Sequence, residues 1–342
     1  MRETSRQEST TVTESGMTSD ARAARASATS RGYAAGLGGV FVWSWTAILI
    51  GYLLRSRPMA PMALAFWRDL TSAGAMLAVL AVFRPATVRV ARRDLGFLLL
   101  YGASLALLNV TWTWSIAWNG AAVSTVLVYS SPAITALAAR LLFGERLGPT
   151  RAVALAASIA GCVLVAKAND PARWNLNAPG IVAGLLSAVS FALYSMMGKV
   201  ASRRGVDPWT ATLYTFAGAA LALLPIAYLT PWAGGQNPLL SLGAQWDVWL
   251  LLLLLVVPTL GGYGLYTVSL AYLPVATANI IATLEPVLTT IWAHLLLGES
   301  LDAPQSVGGA LIIGSVAFLQ LDARGRAAAV DDAAVPVPPA ET

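Results

Sequence analysis

The chain has 342 residues, of which 57% are hydrophobic and 11% charged, with a formal net charge of +5 and a positive mean hydropathy. A soluble domain carries about 25% charged residues, so the composition excludes the ordinary globular class. A single cysteine (Cys162) and a single histidine (His294) exclude a disulfide framework and a Cys/His metal cluster. The scattered arginines form no basic stripe with interleaved aromatics, so nucleic acid is not expected as a partner.

Residues 1–32 are rich in Ser, Thr, Arg and Ala without an apolar core and read as a disordered cytoplasmic tail. No short apolar region with a cleavage site precedes the first long run, so a signal peptide is not expected. Ten apolar runs follow, at 33–54, 61–83, 95–117, 120–143, 150–167, 179–201, 209–230, 248–271, 275–297 and 304–321. Each is long enough to approach or cross a bilayer as a helix. The ten-residue alternation of an outer-membrane barrel is absent. The expected fold class is therefore an all-α integral membrane protein of ten transmembrane helices, ending in a second disordered cytoplasmic tail at 322–342. With the N-terminus placed inside, seventeen Lys and Arg fall in inner segments and four in outer ones, leaving Arg68 within a span. That bias predicts both termini on the cytoplasmic side of the plasma (inner) membrane.

The ninth run carries a Glu-Pro pair (Glu285, Pro286) in its middle and Leu-Gly-Glu-Ser-Leu at its end, with Glu299 thirteen residues after the proline. The fourth run repeats the layout, with Pro132 followed thirteen residues later by Glu145 in Phe-Gly-Glu-Arg-Leu. An offset of 154 superposes both pairs, and an offset of 147 aligns Gly51 with Gly198 and Pro61 with Pro208. Ala152, Ala156 and Ala160 align with Ser306, Ala310 and Gly314, small residues at every fourth position of the kind that lets helices approach closely in lipid. Each half holds five spans, an odd number, so the second enters the membrane inverted. Inverted repeats of this kind are the architecture of secondary transporters.

Several further pieces match in order and spacing: Trp43 with Ser44, Phe191 and Ala192 with Tyr194, Phe66-Trp67-Arg68, Tyr266 with Ala271, and Glu-Pro-Val at 285–287. On these residues the chain resembles the EamA-type branch of the drug/metabolite transporter superfamily, over roughly residues 33–321. The resemblance implies two five-helix repeats, 33–167 and 179–321, and transport of amino acids, other small metabolites or drug-like compounds, often outward, through a midplane cavity between the repeats. It departs from internal symmetry at Ser131, which stands where the second repeat has Glu285.

Glu285 is the first candidate for substrate binding or coupling. A charge near the bilayer centre costs about 2.5–3.5 kcal/mol on insertion scales, and thirteen residues of helix place Glu299 roughly 20 Å from Pro286. Glu285 is read either as a proton acceptor or substrate-amine ligand, or as a structural brace. Pro286 predicts a kink with a freed carbonyl. Arg68 is the natural opposite charge, for a substrate carboxylate or Glu285, with Asp69 or a lipid phosphate as the alternative partner. Trp43, Trp112, Tyr129, Tyr194, Tyr263 and Tyr266 with Asn109 are candidate cavity-wall residues. Asn109 and Trp112 recur as Tyr263 and Tyr266 at the same offset. The face through Ala278, Ala282, Leu288, Thr289 and Trp292 would suit a pore strip. His294 lies about 180° from Glu285 around the helix, and Asn279 about 120° from it. His294 reads as a helix-packing or interfacial residue and Asn279 as interhelical glue. Pro132, Pro286, Glu145 and Glu299 read as structural, the two glutamates fixing tight turns.

No cofactor or metal is implied. The expected partners are a small-molecule substrate and bilayer lipid, with protons as a candidate coupling ion and a homodimer as a candidate assembly. An intramembrane enzyme would need a paired carboxylate, a Ser/His pair or metal ligands, which the spans lack. A non-transporting membrane protein is the other alternative. No phosphate-binding glycine-rich loop points to ATP as the energy source.

Overall fold

The computed structural model describes residues 19–56, 61–144, 148–165, 178–229, 246–297 and 302–332. Among them are twelve helices and no strand: α1 (Ser19–Ser56), α2 (Pro61–Phe83), α3 (Pro85–Val88), α4 (Arg92–Val128), α5 (Ser131–Phe143), α6 (Pro149–Val165), α7 (Ala178–Arg203), α8 (Pro208–Leu229), α9 (Trp246–Tyr272), α10 (Val275–Ala282), α11 (Glu285–Leu297) and α12 (Ala303–Asp332). Six stretches of these residues are long and apolar enough to cross a membrane: Met62–Phe83, Arg92–Ser115, Ala178–Arg203, Pro208–Leu229, Trp246–Tyr272 and Val275–Leu296. Shorter apolar helices lie at Ser131–Leu142, Pro149–Val165 and Ala303–Leu319. Leu141, Val257 and Leu229 stand exposed while Arg68, Asp69 and Asn279 are buried. That inversion of the usual soluble pattern fits a lipid-facing surface.

Local chemistry sets the helix ends. Pro61 and Pro208, aligned by the repeat, each open a helix, where a missing N–H costs nothing. Asp207 Oδ1 accepts the Trp209 and Thr210 N–H groups (2.9 and 3.1 Å) at the start of α8. Asp302 and Gln305 cap α12 reciprocally, backbone N–H to side-chain oxygen in both directions. Gly144 ends α5 at φ 68°, a left-handed conformation that glycine enters without steric penalty. The turns expected at Glu145 and Glu299 lie outside the described residues.

The most extensive helix pairings all cross between the two halves: α4 with α7 and α8, α9 with α1, α6 with α12, and α2 with α8. They also map onto one another when the halves are exchanged. α4–α7 corresponds to α9–α1, α4–α8 to α9–α2, and α5–α7 to α11–α1.

The structure differs from the sequence expectations at several places. Helix α1 begins at Ser19 and α12 continues to Asp332, so parts of both expected tails are helical. Both segments are rich in Ala and Arg, strong helix formers, and extend helices that are already nucleated. Lys199, one of the seventeen residues assigned to inner segments, lies within α7, and its Nζ donates to the carbonyls of Leu270 (2.9 Å) and Leu273 (2.8 Å) at the end of α9. The third and fourth runs have no loop between them, because α4 is helical from Arg92 to Val128. It nevertheless doubles back. Ser115 Oγ and Leu127 Cβ lie 2.7 and 2.8 Å from the same point beside Gly184, hence within about 6 Å of each other. Twelve residues of straight helix would separate them by ~18 Å.

The small-residue triplets are also displaced from their expected role. Ala152, Ala156, Ala160, Ser306, Ala310 and Gly314 are all exposed. The α6–α12 contact uses Gly161 and Gly308 instead: a Cβ on either would stand 2.7 Å from the other's carbonyl oxygen. Buried Ala154, Ser158, Gly161, Cys162 and Val165 of α6 match buried Gly308, Ile312, Ser315, Val316 and Leu319 of α12 at offset 154. The repeat therefore extends to which face is buried, and that face is a different one from the triplets'.

Candidate functional site

Both copies of the proline module break a helix in the same place. The helical run stops at Tyr129–Ser130, before Ser131-Pro132, and again at Thr283–Leu284, before Glu285-Pro286. A proline has no N–H to offer the carbonyl four residues earlier, so the ladder cannot run through it. Tighter i→i−3 bonds form instead, Ser130 N–H to Leu127 O (3.2 Å) and Thr283 N–H to Ile280 O (3.1 Å). The expected kink at Pro286 is thus a separation into two helices, and Pro132 does the same.

The break puts Glu285 at the start of α11. Its Oε2 accepts the hydroxyl proton of Tyr129 at 2.5 Å, joining residues 156 positions apart across the two halves. At the equivalent position in the first half, the Ser131 Oγ is buried without a hydrogen-bond partner among the described residues.

A second polar assembly bridges four helices. Asn279 of α10 donates from Nδ2 to Thr135 Oγ1 of α5 (2.6 Å). Its Oδ1 accepts from the Tyr266 hydroxyl of α9, and the single hydroxyl proton of Ser195 of α7 can go to Asn279 Oδ1 (3.0 Å) or to the Tyr266 oxygen (2.7 Å). Asn279 is fully buried and acts as interhelical glue, as its helix position suggested.

The third assembly is ionic. Arg68 of α2 pairs with neighbouring Asp69, Nη2 and Nε lying 3.0 and 3.1 Å from Oδ1. The free Oδ2 accepts Asn109 Nδ2 of α4 at 2.9 Å. Of the partners weighed for Arg68, the structure brings Asp69 to it, and both residues are buried.

Aromatic rings fill the space between these assemblies. Trp43 packs against Tyr263 with centroids 4.3 Å apart and ring planes tilted by 52°, and also meets Tyr266 and Phe191. Tyr194 joins Phe191, Tyr263 and Tyr266. Trp43 can come so close because Gly262 has no side chain: a Cβ there would stand 2.6 Å from that of Trp43. Tyr263 lies within electrostatic range of Arg68, Asp69 and Glu285 alike.

Of the candidate wall residues, Trp43, Asn109, Tyr129, Tyr194, Tyr263 and Tyr266 are buried and lie in or beside this cluster. Trp112 is half-buried one turn from Asn109. Two residues of the expected pore strip, Thr289 and Trp292, contact α1. Thr289 Oγ1 donates to the Ser44 carbonyl (3.3 Å) and Trp292 Nε1 to Ser44 Oγ (2.9 Å). His294 is exposed on the other side of the helix. Among residues the sequence did not single out, Thr135 had a signal, because Pro-x-x-Thr occurs in both copies (Pro132–Thr135, Pro286–Thr289). Ser195 had none.

Comparison with known proteins gives two matches to the model of the EamA-like transporter family, over residues 30–167 and 178–321. An uncharacterized transporter of Archaeoglobus fulgidus is 27% identical over 57% of this chain and 65% of its own length. The uncharacterized inner membrane transporter YicL of Salmonella typhimurium is 26% identical over 70% of this chain and 77% of its own. A probable terminal-alkyne amino-acid exporter of Streptantibioticus cattleyicolor is 28% identical over 75% and 83%. A solved crystal structure with a TM-score of 0.66 and 22% identity covers 88% of this chain and 99% of its own, a likeness of fold.

Proposed function

The chain belongs to the EamA-like transporter family, and from that membership we propose that it exports small metabolites, of the amino-acid or drug-like class, by alternating access. In this reading it crosses the inner membrane ten times as two inverted five-helix repeats, with both termini cytoplasmic. Substrate binds between the repeats, in the space now filled by Trp43, Tyr194, Tyr263 and Tyr266. The bond that carries the reading is Tyr129 to Glu285. It ties the helix break of one half to that of the other, and a carboxylate at this position can exchange its tyrosine partner for a proton or a substrate amine. An exporter of amino acids among the relatives supports the substrate class.

The test is transport of radiolabelled amino acids and related metabolites in proteoliposomes, with the external and internal pH set separately. Glu285→Gln is expected to abolish the pH dependence of transport while the protein stays folded by circular dichroism. Tyr129→Phe is expected to lower the rate and keep the pH dependence. Unchanged pH dependence in Glu285→Gln removes Glu285 from coupling.

A further inference from the structure

The outer corner formed by α2, α8 and α9 carries a groove that none of these assemblies uses. It has a volume of about 340 Å³ and is lined by Met76, Val79 and Phe83 of α2, Trp209 of α8 and Leu260 of α9, with Arg84 at its end. From Met76 to Arg84 the chain rises ~12 Å, so the groove runs from the middle of α2 to the helix terminus. Val79 and Phe83 are 50% and 77% exposed, which opens it outward. The Trp209 ring lies on the α9 backbone at Gly264, its Cε3 2.8 Å from where a Cβ would stand. That wall is therefore fixed by close packing.

The charge at the terminus is predominantly positive. Arg84, Arg89 and Arg92 are exposed, and among the described residues no carboxylate lies within ion-pair distance of any of them. Of the acids nearby, Asp94 is taken by Arg93 and Arg204 at 3.6 Å each, and Asp207 accepts the Trp209 and Thr210 N–H groups. The connection bearing these arginines is pinned to α8: Thr210 Oγ1 donates to Thr87 O (2.7 Å) and the Tyr214 hydroxyl to Val88 O (2.9 Å). A narrow apolar channel that ends in anchored, uncompensated cations matches a ligand with a hydrocarbon tail and an anionic head.

We propose that this groove binds an anionic phospholipid, with an acyl chain along Val79, Leu260 and Trp209 and the headgroup phosphate on Arg84. A purely apolar compound would satisfy the channel and leave the arginines unmatched. The site depends only on the chain being embedded in a bilayer and is independent of the transport reading.

The test is native mass spectrometry of the purified full-length protein, delipidated and offered phosphatidylglycerol or phosphatidylcholine at equal concentration. The wild type is expected to retain phosphatidylglycerol in preference. Arg84→Gln, at an exposed position, is expected to weaken phosphatidylglycerol retention by about fivefold, the weight of one arginine at an anionic surface, and to weaken phosphatidylcholine, whose ammonium already offsets its phosphate, by less. Val79→Trp fills the channel and is expected to lose the phosphatidylglycerol adduct. Equal retention of the two lipids by the wild type, unchanged retention in Arg84→Gln, or a persisting adduct in Val79→Trp overturns the proposal.

Discussion

Asp69 uses its two oxygens for different partners, Oδ1 for the Arg68 guanidinium and Oδ2 for the Asn109 amide. The first neutralises a buried charge, and the second is the one that links α2 to α4. Removing one partner of a buried pair typically costs about 3–5 kcal/mol, because the other charge is left uncompensated, whereas losing a hydrogen bond to a charged group costs roughly 1.5–3 kcal/mol. Asp69→Asn is therefore expected to lower thermal stability in detergent more than Asn109→Ala, and Arg68→Leu combined with Asp69→Leu to recover part of the loss. Equal melting temperatures for Asp69→Asn and the wild type would mean that the pair is solvated. The sequence left this partner open for a physical reason. A guanidinium on a long stem reaches several places, and its choice depends on which helices the fold brings alongside. Neighbouring residues on a helix do not ordinarily face one another, which made Asp69 look no better than Glu285.

The contact between α6 and α12 is set by backbone approach. Gly161 and Gly308 each leave no space for a side chain opposite the other, while nothing lies within 4 Å of a Cβ on Gly314. Gly161→Val and Gly308→Val should each cost about 1–3 kcal/mol through overpacking, and Gly314→Ala should be neutral or mildly stabilising through helix propensity. Thermal melts of the three variants in one detergent check the order. Helix existence, the duplication and its offset of 154 were legible in the sequence, because apolar runs and proline modules are strong signals. Which stripe of α6 and α12 turns inward was not. Both faces carry small residues, and a surface bathed in lipid shows none of the polarity that marks the outside of a soluble helix. The doubling back of α4 was legible as an interruption between two runs, but its form was not. Gly120 costs a helix only about 1 kcal/mol, and no proline stands there to force a loop.

Across the whole molecule the halves pack on each other more than on themselves, as α4–α7 and α9–α1 illustrate. The aromatic cluster sits on one of these pairings, Trp43 of α1 against Tyr263 and Tyr266 of α9. In a Cys162→Ser background, single cysteines at positions 109, 112, 263 and 266 are expected to react slowly with a small water-soluble thiol reagent at rest and faster during turnover. Labelling rates followed by mass spectrometry check this, and complete inertness under both conditions would make these positions a sealed wall. The mismatch of Ser131 with Glu285 has a further consequence. If the two halves were identical in an inverted carrier, the inward-facing and outward-facing forms would be mirror arrangements of the same contacts and equal in free energy. One copy holds a carboxylate bonded to Tyr129 and the other a hydroxyl with no partner among the described residues. In the carrier proposed above, that difference would lift the degeneracy and give the empty form a preferred side of the membrane.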